Sequence, residues 1–304
     1  MIDTIINIAR NPVKIIYGFE NLGLLDWISD EAYLKLIYRL TFRRRLHLDD
    51  PKAYTEKISW YKLHWRNKLA EKCTDKFEVR EYASKKIGPE HIIDCYGCWN
   101  SFDEIDFGGL PEQFVLKATN GSGNVVICKE KSTLDMDHVR KTLDKYRRRH
   151  FSSRTKEWSY YGVPHRILAE RFIKSADGKG IKDYKIFCFY GKPQFLVVCS
   201  EREIKVKYDY YDLDWNRIPV RVGGDHNPNL RKPEHFDEML EIANKLSEDF
   251  PHVRVDLYDE EGKIYFGELT FYHYGGITPF VPDEWDFIFG KLFDILRIPK
   301  DQII

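Results

Sequence analysis

The chain has 304 residues, of which 43% are hydrophobic and 32% charged, so it can bury a sizeable core and is not of the disordered class. Lys and Arg together number 48, as do Asp and Glu, and this balance excludes a global electrostatic attraction to nucleic acid or acidic lipid. No stretch approaches the ~20 apolar residues of a membrane span, so we expect no transmembrane helix.

The N-terminal segment is apolar but carries no basic leader and no small-residue cleavage site, so we expect neither a signal peptide nor an anchor. The six cysteines are scattered, and without an export signal we expect reduced thiols and a cytoplasmic location. An amphipathic N-terminal helix would permit peripheral contact with the inner membrane, which stays open as an alternative.

The first part of the chain, residues 1–72, has the periodicity of helices. Asp30 is placed to cap one of these helices, and the segment 53–69 again suits a helix. A further helix is predicted over 75–87, with Asp75 as its cap and Gly88-Pro89 at its end.

Beyond this region the apolar pattern changes to that of strands. Strand-like runs occupy 113–117, 124–128, 166–173, 183–191, 192–201 and a hairpin over 253–271. Helices are predicted over 135–149, where the run ends in Arg147-Arg148-Arg149, and over 233–250 and 284–297. Antiparallel hairpins with helices between them favour an α+β fold over a doubly wound sheet.

The late hairpin carries the most informative pattern. Strand periodicity places Arg254 and Asp256 on one face of their strand, and Glu268 and Thr270 on one face of the partner strand. Charged groups in otherwise apolar strands are costly unless something compensates them. A Mg²⁺ ion between the two carboxylates would do so, because Mg²⁺ favours one or two carboxylates plus phosphate oxygens. An internal ion pair between Arg254 and Asp256 is the alternative.

Three further features suit a nucleotide. Lys117 precedes the glycine-rich run Asn120-Gly121-Ser122-Gly123-Asn124, whose N–H groups are candidates for phosphate binding, although hairpins also use glycine for its turn geometry. Glu170 ends an apolar strand beside which a nucleoside would fit, or it is an ordinary strand end. Lys185 follows Asp183 on one strand face.

The order of these parts resembles the ATP-grasp superfamily, in which two α+β subdomains hold ATP between antiparallel sheets. The hairpin is similar to the metal-binding hairpin of D-alanine–D-alanine ligases, with Thr270 where Asn is usual. A closer resemblance, over nearly the whole chain, is to the TupA-like ATP-grasp proteins of bacterial capsule and teichuronopeptide gene clusters. The segments that carry it are Thr55-Glu56-Lys57-Ile58-Ser59-Trp60, Asp75-Lys76, Arg80-Glu81-Tyr82, Phe114-Val115-Leu116-Lys117, Asn120-Gly121-Ser122-Gly123, Lys182-Asp183-Tyr184-Lys185 and Gly267-Glu268-Leu269-Thr270-Phe271-Tyr272-His273.

This resemblance implies a helical region over 1–72, a first ATP-grasp subdomain over 73–173 with the glycine-rich loop, and a second over 174–304 with the metal hairpin. It implies the use of ATP and Mg²⁺ and an acyl-phosphate route to an amide. The implied substrates are a sugar carboxylate, such as a uronic acid, and a small amine or amino acid. Other enzymes of polysaccharide assembly are the implied partners, and nucleic acid is not.

The resemblance also implies roles for individual residues. The metal would be held by Asp256, Glu268 and Thr270. The nucleotide would be held by Lys76, Lys117, Gly121, Ser122, Gly123, Glu170, Lys185 and the backbone near Arg171 and Ile173. Catalysis would use Arg254 to stabilise the acyl phosphate and His273 to assist amine deprotonation. Two other functions stay open: a kinase acting on a sugar or polysaccharide hydroxyl, and a non-catalytic scaffold gated by nucleotide.

Overall fold

The computed structural model describes residues 12–146 and 155–304. The prediction of helix for residues 1–11 and the run Arg147-Arg148-Arg149 lie outside the described residues. In the part of the chain that the structure describes, no helix combines the length and the apolar character needed to cross a bilayer.

Eight α-helices have both ends within the described residues. They are α1 (Pro12–Asn21), α2 (Asp30–Phe42), α3 (Tyr54–His64), α4 (Lys68–Thr74), α5 (Val79–Ile87), α6 (Met136–Leu143), α7 (Phe236–Ser247) and α8 (Glu284–Leu292). Each predicted helical region contains a helix, and the observed helices are shorter than the predicted ones.

Within the described residues, ten strands form two wholly antiparallel sheets. The strands are β1 (Cys95–Trp99), β2 (Phe114–Ala118), β3 (Val125–Cys128), β4 (Ile167–Arg171), β5 (Asp183–Phe189), β6 (Lys192–Ser200), β7 (Lys207–Tyr211), β8 (Arg217–Ile218), β9 (His252–Glu260) and β10 (Lys263–Thr270). The smaller sheet has the order β1-β4-β2-β3, and the larger has the order β10-β9-β5-β6-β7-β8. The predicted α+β class with antiparallel sheets is confirmed.

The described residues divide into two compact units. The first unit contains 12–66, 155–161 and 272–304, and the second contains 67–146 and 162–271. The three sequence-based segments 1–72, 73–173 and 174–304 stay a prediction about subdomains.

The first unit is helical, and hydrogen bonds join α3 to α8. Lys57 Nζ donates to the carbonyls of Gly290 at 2.7 Å and Phe293 at 2.6 Å, which lie at the end of α8. The buried Asp286 carboxylate accepts from the N–H of Thr55 at 2.9 Å and from its hydroxyl at 2.6 Å. These bonds satisfy backbone groups that a helix end leaves without partners.

Two predicted helix starts are wrong. Ser29, not Asp30, caps α2, because its extended backbone lets the hydroxyl accept from the N–H of Ala32, while Asp30 is the first helical residue. The helix predicted from residue 75 begins at Val79. Asp75 instead forms a turn before it, in which the carboxylate accepts from the N–H of Phe77 at 2.7 Å.

The second unit contains both sheets, and side-chain alternation gives the larger sheet two distinct faces. Val253 and Val255 point to one face, where α7 packs and where Cys188 Sγ lies 3.8 Å from the carbonyl of Ala243. Arg254 and Asp256 alternate with these valines and therefore point to the other face. The sheet thus has an apolar face under a helix and a face that carries charge.

Candidate functional site

The hairpin β9–β10 carries the predicted metal and catalytic residues on one face. In the strand register Asp256 lies opposite Glu268, and Arg254 lies opposite Thr270. This alignment depends on an irregularity between Phe266 and Glu268, where β10 has one extra residue. A bulge of this kind re-aims the side chains that follow it. The structure therefore brings together the four residues that the sequence pattern singled out.

Arg254 is the centre of this group. Its Nε donates to Asp256 Oδ1 at 2.6 Å, and its Nη2 donates to Asp256 Oδ2 at 2.6 Å. The same Nη2 donates to the Thr270 hydroxyl at 2.9 Å and lies 3.4 Å from Glu268 Oε1. The internal ion pair weighed from the sequence is therefore present. Burial disfavours the charged guanidinium, but Asp256 and Glu268 outweigh it and raise the pKa of Arg254.

Lys185 gives Asp256 a second cation. Its ammonium pairs with Asp256 Oδ2, and it lies 2.6 Å from Asp183 Oδ2 on its own strand. Arg202 Nη1 also donates to Asp183 Oδ2, at 3.2 Å. Because the Asp256 side chain is only 1% exposed, its charge is balanced by protein cations rather than by water.

Glu268 differs from Asp256 in having room for another partner. Its side chain is 36% exposed, and Lys76 Nζ lies 4.0 Å from its Oε2. Desolvation opposes its ionisation, but Lys76, Lys185 and Arg254 outweigh this and lower the pKa of Glu268 to about 2. Glu268 is therefore a carboxylate at neutral pH whose oxygens are not fully used by the protein.

Lys76 and the glycine-rich run lie together. Lys76 Nζ donates to the carbonyl of Gly121 at 2.7 Å. Gly121 and Gly123 have φ of 78° and 80°, in the left-handed region that favours glycine. Ser122, between them, does not have a positive φ. Burial lowers the pKa of the Lys76 ammonium, because its carboxylate neighbours compensate it only in part. The predicted phosphate contacts Lys76 and Gly121 are thus neighbours.

Lys117 and Glu170 form a diagonal pair across β2 and β4. Val115 is directly opposite Glu170, so Lys117 lies on the same sheet face, and its ammonium pairs with Glu170 Oε2. Arg80 Nη1 donates to Glu170 Oε1 at 3.0 Å. Desolvation disfavours the Lys117 ammonium, but Glu170 more than offsets this, and the pKa of Lys117 is raised.

The two other predicted nucleoside contacts have partners of their own. The N–H of Arg171 donates to the carbonyl of Asp94 at 2.9 Å, and its guanidinium donates to Tyr265 and Glu261. Ile173 is buried in a small apolar cluster with Tyr265.

His273 is in the first unit, next along the chain after β10 and Tyr272. Its side chain is buried, with the residue 2% exposed. The loop that contains it has three successive residues of positive φ, namely Tyr274, Gly275 and Gly276. The role of His273 in amine deprotonation stays a prediction.

The charged groups on the hairpin face and around Glu170 carry a positive excess. Six cations stand against four carboxylates: Lys76, Arg80, Lys117, Lys185, Arg202 and Arg254 against Glu170, Asp183, Asp256 and Glu268. Such a surplus in a partly buried cluster favours an anionic ligand, of which a polyphosphate is one class.

Of the carboxylates, Glu268 has room for a Mg²⁺ ion brought by such a ligand, whereas both oxygens of Asp256 already accept from Arg254. Over residues 12–146 and 155–304, no group of three or more His, Cys, Asp or Glu side chains is arranged to hold a metal by itself. Mg²⁺ needs fewer protein ligands than that, because it binds through one or two carboxylates plus phosphates. Asp256 and Glu268 supply two carboxylates at one register position.

Sequence reasoning did not assign roles to Arg80 and Arg202, and it gave Asp183 none beyond sharing a face with Lys185. Arg80 lies in α5 and reaches Glu170 through the fold, so its position in the chain carries no sign of the contact. Arg202 follows β6, and its contact with Asp183 depends on the β5–β6 register. Of these three residues, only Asp183 could have been identified from the sequence, because it lies two residues before Lys185 in a strand and therefore on the same face.

Comparison with known proteins gives a family match. The profile of a family described as TupA-like ATP-grasp matches residues 56–294, which is most of the chain. No curated protein sequence matches the chain significantly.

Solved structures give weaker likenesses. D-alanine–D-alanine ligase from Helicobacter pylori aligns at 17% identity and a TM-score of 0.40, over 79% of this chain and 64% of that one. The corresponding ligase from Bacillus anthracis, complexed with ATP, aligns at 14% identity and a TM-score of 0.37, over 65% and 53%. The ATP-grasp ligase PsnB, complexed with minimal precursor, Mg and ADP, aligns at 9% and 0.38, over 71% and 57%. The chain spans between half and two thirds of the length of these structures.

Proposed function

Because the chain belongs to the TupA-like ATP-grasp family, we propose that it is an ATP-dependent ligase that joins a carboxylate to an amine. The observation that carries the proposal is the charged face of the β9–β10 hairpin. There Asp256 and Glu268 lie at one register position, and Arg254 contacts both carboxylates. Phosphoryl transfer needs charge neutralisation and alignment more than covalent chemistry, and this face supplies charge of both signs.

In the proposed reaction a substrate carboxylate oxygen attacks the γ-phosphorus of ATP, the bond to the bridging oxygen breaks, and ADP leaves. The amine nitrogen then attacks the acyl carbon, inorganic phosphate leaves, and the nitrogen loses a proton to give the amide. Mg²⁺ held by Asp256 and Glu268, with the Thr270 hydroxyl beside them, would neutralise charge on the transferring group.

The protein cations have separate roles in this proposal. Lys76 and Lys117, with Gly121, Ser122 and Gly123, bind phosphate oxygens. Nearby carboxylates, Glu170 above all, raise the pKa of Lys117 and so keep its ammonium charged. Lys185 holds Asp256 and Asp183 in place. Arg254, which Asp256 holds in place through Nε and Nη2, stabilises the acyl phosphate by its positive charge.

The substrate class rests on the family resemblance. We propose a sugar carboxylate, such as a uronic acid in a bacterial surface polysaccharide, and a small amine or amino acid. A cytoplasmic location, with peripheral contact at the inner membrane beside other polysaccharide-assembly enzymes, belongs to the same proposal, because polysaccharide precursors would be its substrates.

The test is ADP release from ATP·Mg²⁺ in a screen of uronic acid glycosides against amines. The proposal expects ADP only when a carboxylate and an amine are both present, and a product whose mass is the sum of both minus water. Hydroxylamine used as the amine should trap the acyl phosphate as a hydroxamate. Phosphate retained on a sugar would establish a kinase instead. Thermal stabilisation by ATP·Mg²⁺ without turnover on any acceptor would support a scaffold.

A further inference from the structure

One side of α1, in the first unit, carries large apolar residues that face solvent. Ile15, Phe19 and Leu22 follow one another at intervals of four and three residues, which is the spacing of a single helix face. All three are exposed. The opposite side of the helix, with Val13 and Ile16, packs against the buried core of the first unit. One face of α1 is therefore used by the fold, and the other presents an apolar stripe.

The stripe continues into the turn that follows α1. Leu24 is exposed there, and Trp27 is 83% exposed. Single exposed apolar residues are ordinary on a protein surface, whereas several large ones close together mark an interaction surface. We call this group the α1 patch, and its members are Ile15, Phe19, Leu22, Leu24 and Trp27.

Polar groups of the turn already have partners within the same segment. The N–H of Leu22 donates to the carbonyl of Gly18 at 3.3 Å. The N–H of Leu24 donates to the carbonyl of Phe19 at 3.0 Å. The indole N–H of Trp27 donates to the carbonyl of Leu24 at 3.0 Å. An N–H without a partner is costly in an apolar medium, so these bonds make the turn suited to enter the surface of a lipid layer.

The exposed charges of α1, α2 and the residues that join and follow them are mainly basic. The two helices pack on one buried cluster. Over residues 12–45, five exposed basic residues stand against two exposed acidic ones: Lys14, Lys35, Arg39, Arg43 and Arg45 against Asp26 and Glu31. Glu20, the acidic residue of α1 itself, is buried. This excess favours a partner of negative charge.

The sequence before α1 repeats the spacing of the stripe. Ile8 stands seven residues before Ile15, and Ile5 stands fourteen before Phe19. Seven residues make two helical turns, so the helical pattern of this sequence assigns both isoleucines to the same stripe. Arg10 adds a basic residue. Residues 1–11 lie outside the described residues, and this continuation is a feature of the sequence alone.

We propose that the α1 patch is the surface through which the protein binds an anionic phospholipid bilayer. Phe19 and Trp27 enter the boundary of the acyl layer, where tryptophan is favoured, and the basic residues face the headgroups. A second copy of the chain would bring the same basic residues to the patch and would be repelled. The inference gives a surface to the membrane contact named in the proposed function, and it does not depend on the ligase reaction.

The test is co-sedimentation of the full chain with lipid vesicles. The protein should bind vesicles of phosphatidylethanolamine and phosphatidylglycerol at least about tenfold more tightly than vesicles of phosphatidylcholine, because each basic residue near an anionic surface adds to binding. Phe19→Ser and Trp27→Ser should each weaken binding to the anionic vesicles about tenfold, because each removes a large apolar side chain from the lipid.

Leu296→Ser is the matched control. Leu296 is also in the first unit and is 90% exposed, but it is not part of the α1 patch. This variant should bind the anionic vesicles as the wild type does. Circular dichroism and thermal unfolding should show that all three variants fold.

A wild-type protein that stays in the supernatant with anionic vesicles would overturn the inference, and ADP release measured without lipid would still test the ligase proposal. Equal binding to the two kinds of vesicle, or an equal loss in Leu296→Ser and Trp27→Ser, would also overturn it. Sedimentation velocity without lipid should show no dimer that depends on the patch. A dimer that Trp27→Ser dissociates would assign the patch to a second copy instead.

Discussion

Replacing Asp256 by Asn tests both the stability and the chemistry of the charged face. Asp256 is 1% exposed, and each of its carboxylate oxygens receives a 2.6 Å hydrogen bond from Arg254. Lys185 also pairs with it. An amide keeps the shape but removes the negative charge, so Arg254 loses its main compensating carboxylate and Lys185 loses one of its two. Breaking a buried ion pair in this way costs about 3 kcal/mol or more.

The effect on the reaction should be larger than the effect on folding. Loss of one metal carboxylate should lower the ADP release rate by about 10³-fold, which equals about 4 kcal/mol of transition-state stabilisation. The assay is ADP release at saturating ATP·Mg²⁺, together with urea unfolding of the same preparation. Activity should be measured well below the unfolding midpoint, so that both preparations are folded.

Asp209→Asn is the matched control for this variant. The Asp209 side chain is 0% exposed and pairs with Arg217 at 3.0 Å. Its neighbour Tyr210 lies in the same cross-strand row as Lys185 and Asp256 and points to their face. Asp209 therefore points to the opposite face of the sheet. The Asp209→Asn variant should lose about as much unfolding free energy as Asp256→Asn but should keep the wild-type rate of ADP release. Undiminished turnover in folded Asp256→Asn, or an equal loss of turnover in both variants, would refute the reasoning.

Three further predictions concern stability. Lys62→Met should lower the free energy of unfolding by about 3 kcal/mol, because the buried ammonium donates to two main-chain carbonyls at 2.6 and 2.7 Å, and a urea midpoint within error of the wild type would contradict this. Burial lowers the pKa of His252 to about 3, so the unfolded state binds its proton first, and stability should fall as pH drops below 6.5. Below pH 6.5 His252 alone should make the free energy of unfolding fall by about 1.4 kcal/mol per pH unit. Urea titrations at several pH values should show that His252→Asn lacks this contribution. The same pH dependence in the variant and the wild type would contradict a lowered pKa of His252. Gly290→Ala places a Cβ 2.1 Å from the carbonyl oxygen of Lys52, so it should lower the free energy of unfolding by about 2 kcal/mol. Gly18→Ala is the control, because its Cβ would have no atom within 4 Å, and it should not destabilise the protein. Equal thermal midpoints of the two variants would refute the close contact.

The sequence was sufficient to predict which residues share the hairpin face. Alternation along each strand places Arg254 with Asp256 and Glu268 with Thr270, and the short turn brings the two strands together. The exact pairing was not predictable, because it depends on the extra residue at Gly267. A shift by one residue would move Glu268 to the other face. A glycine inside a strand, such as Gly267, favours a bulge but does not fix the register around it.

Contacts between distant parts of the chain were also beyond sequence reasoning. Glu170 was singled out as a strand end, but its pairing with Lys117 and Arg80 follows from the order of strands in the small sheet and from the position of α5. The helix starts were misplaced for a local reason. Ser29 and Asp30 are both good caps, and only the backbone angles distinguish the residue outside the helix from the first one inside it.

The central claim is that Asp256 and Glu268 together receive the Mg²⁺ of a nucleoside triphosphate. The most direct measurement is a crystal structure with a non-hydrolysable ATP analogue and Mg²⁺. The account predicts a metal bound to oxygens of both carboxylates and of the phosphates, with Lys76 and Lys117 on the phosphate chain. An analogue bound elsewhere, with Asp256 held only by Arg254 and Lys185, would contradict it.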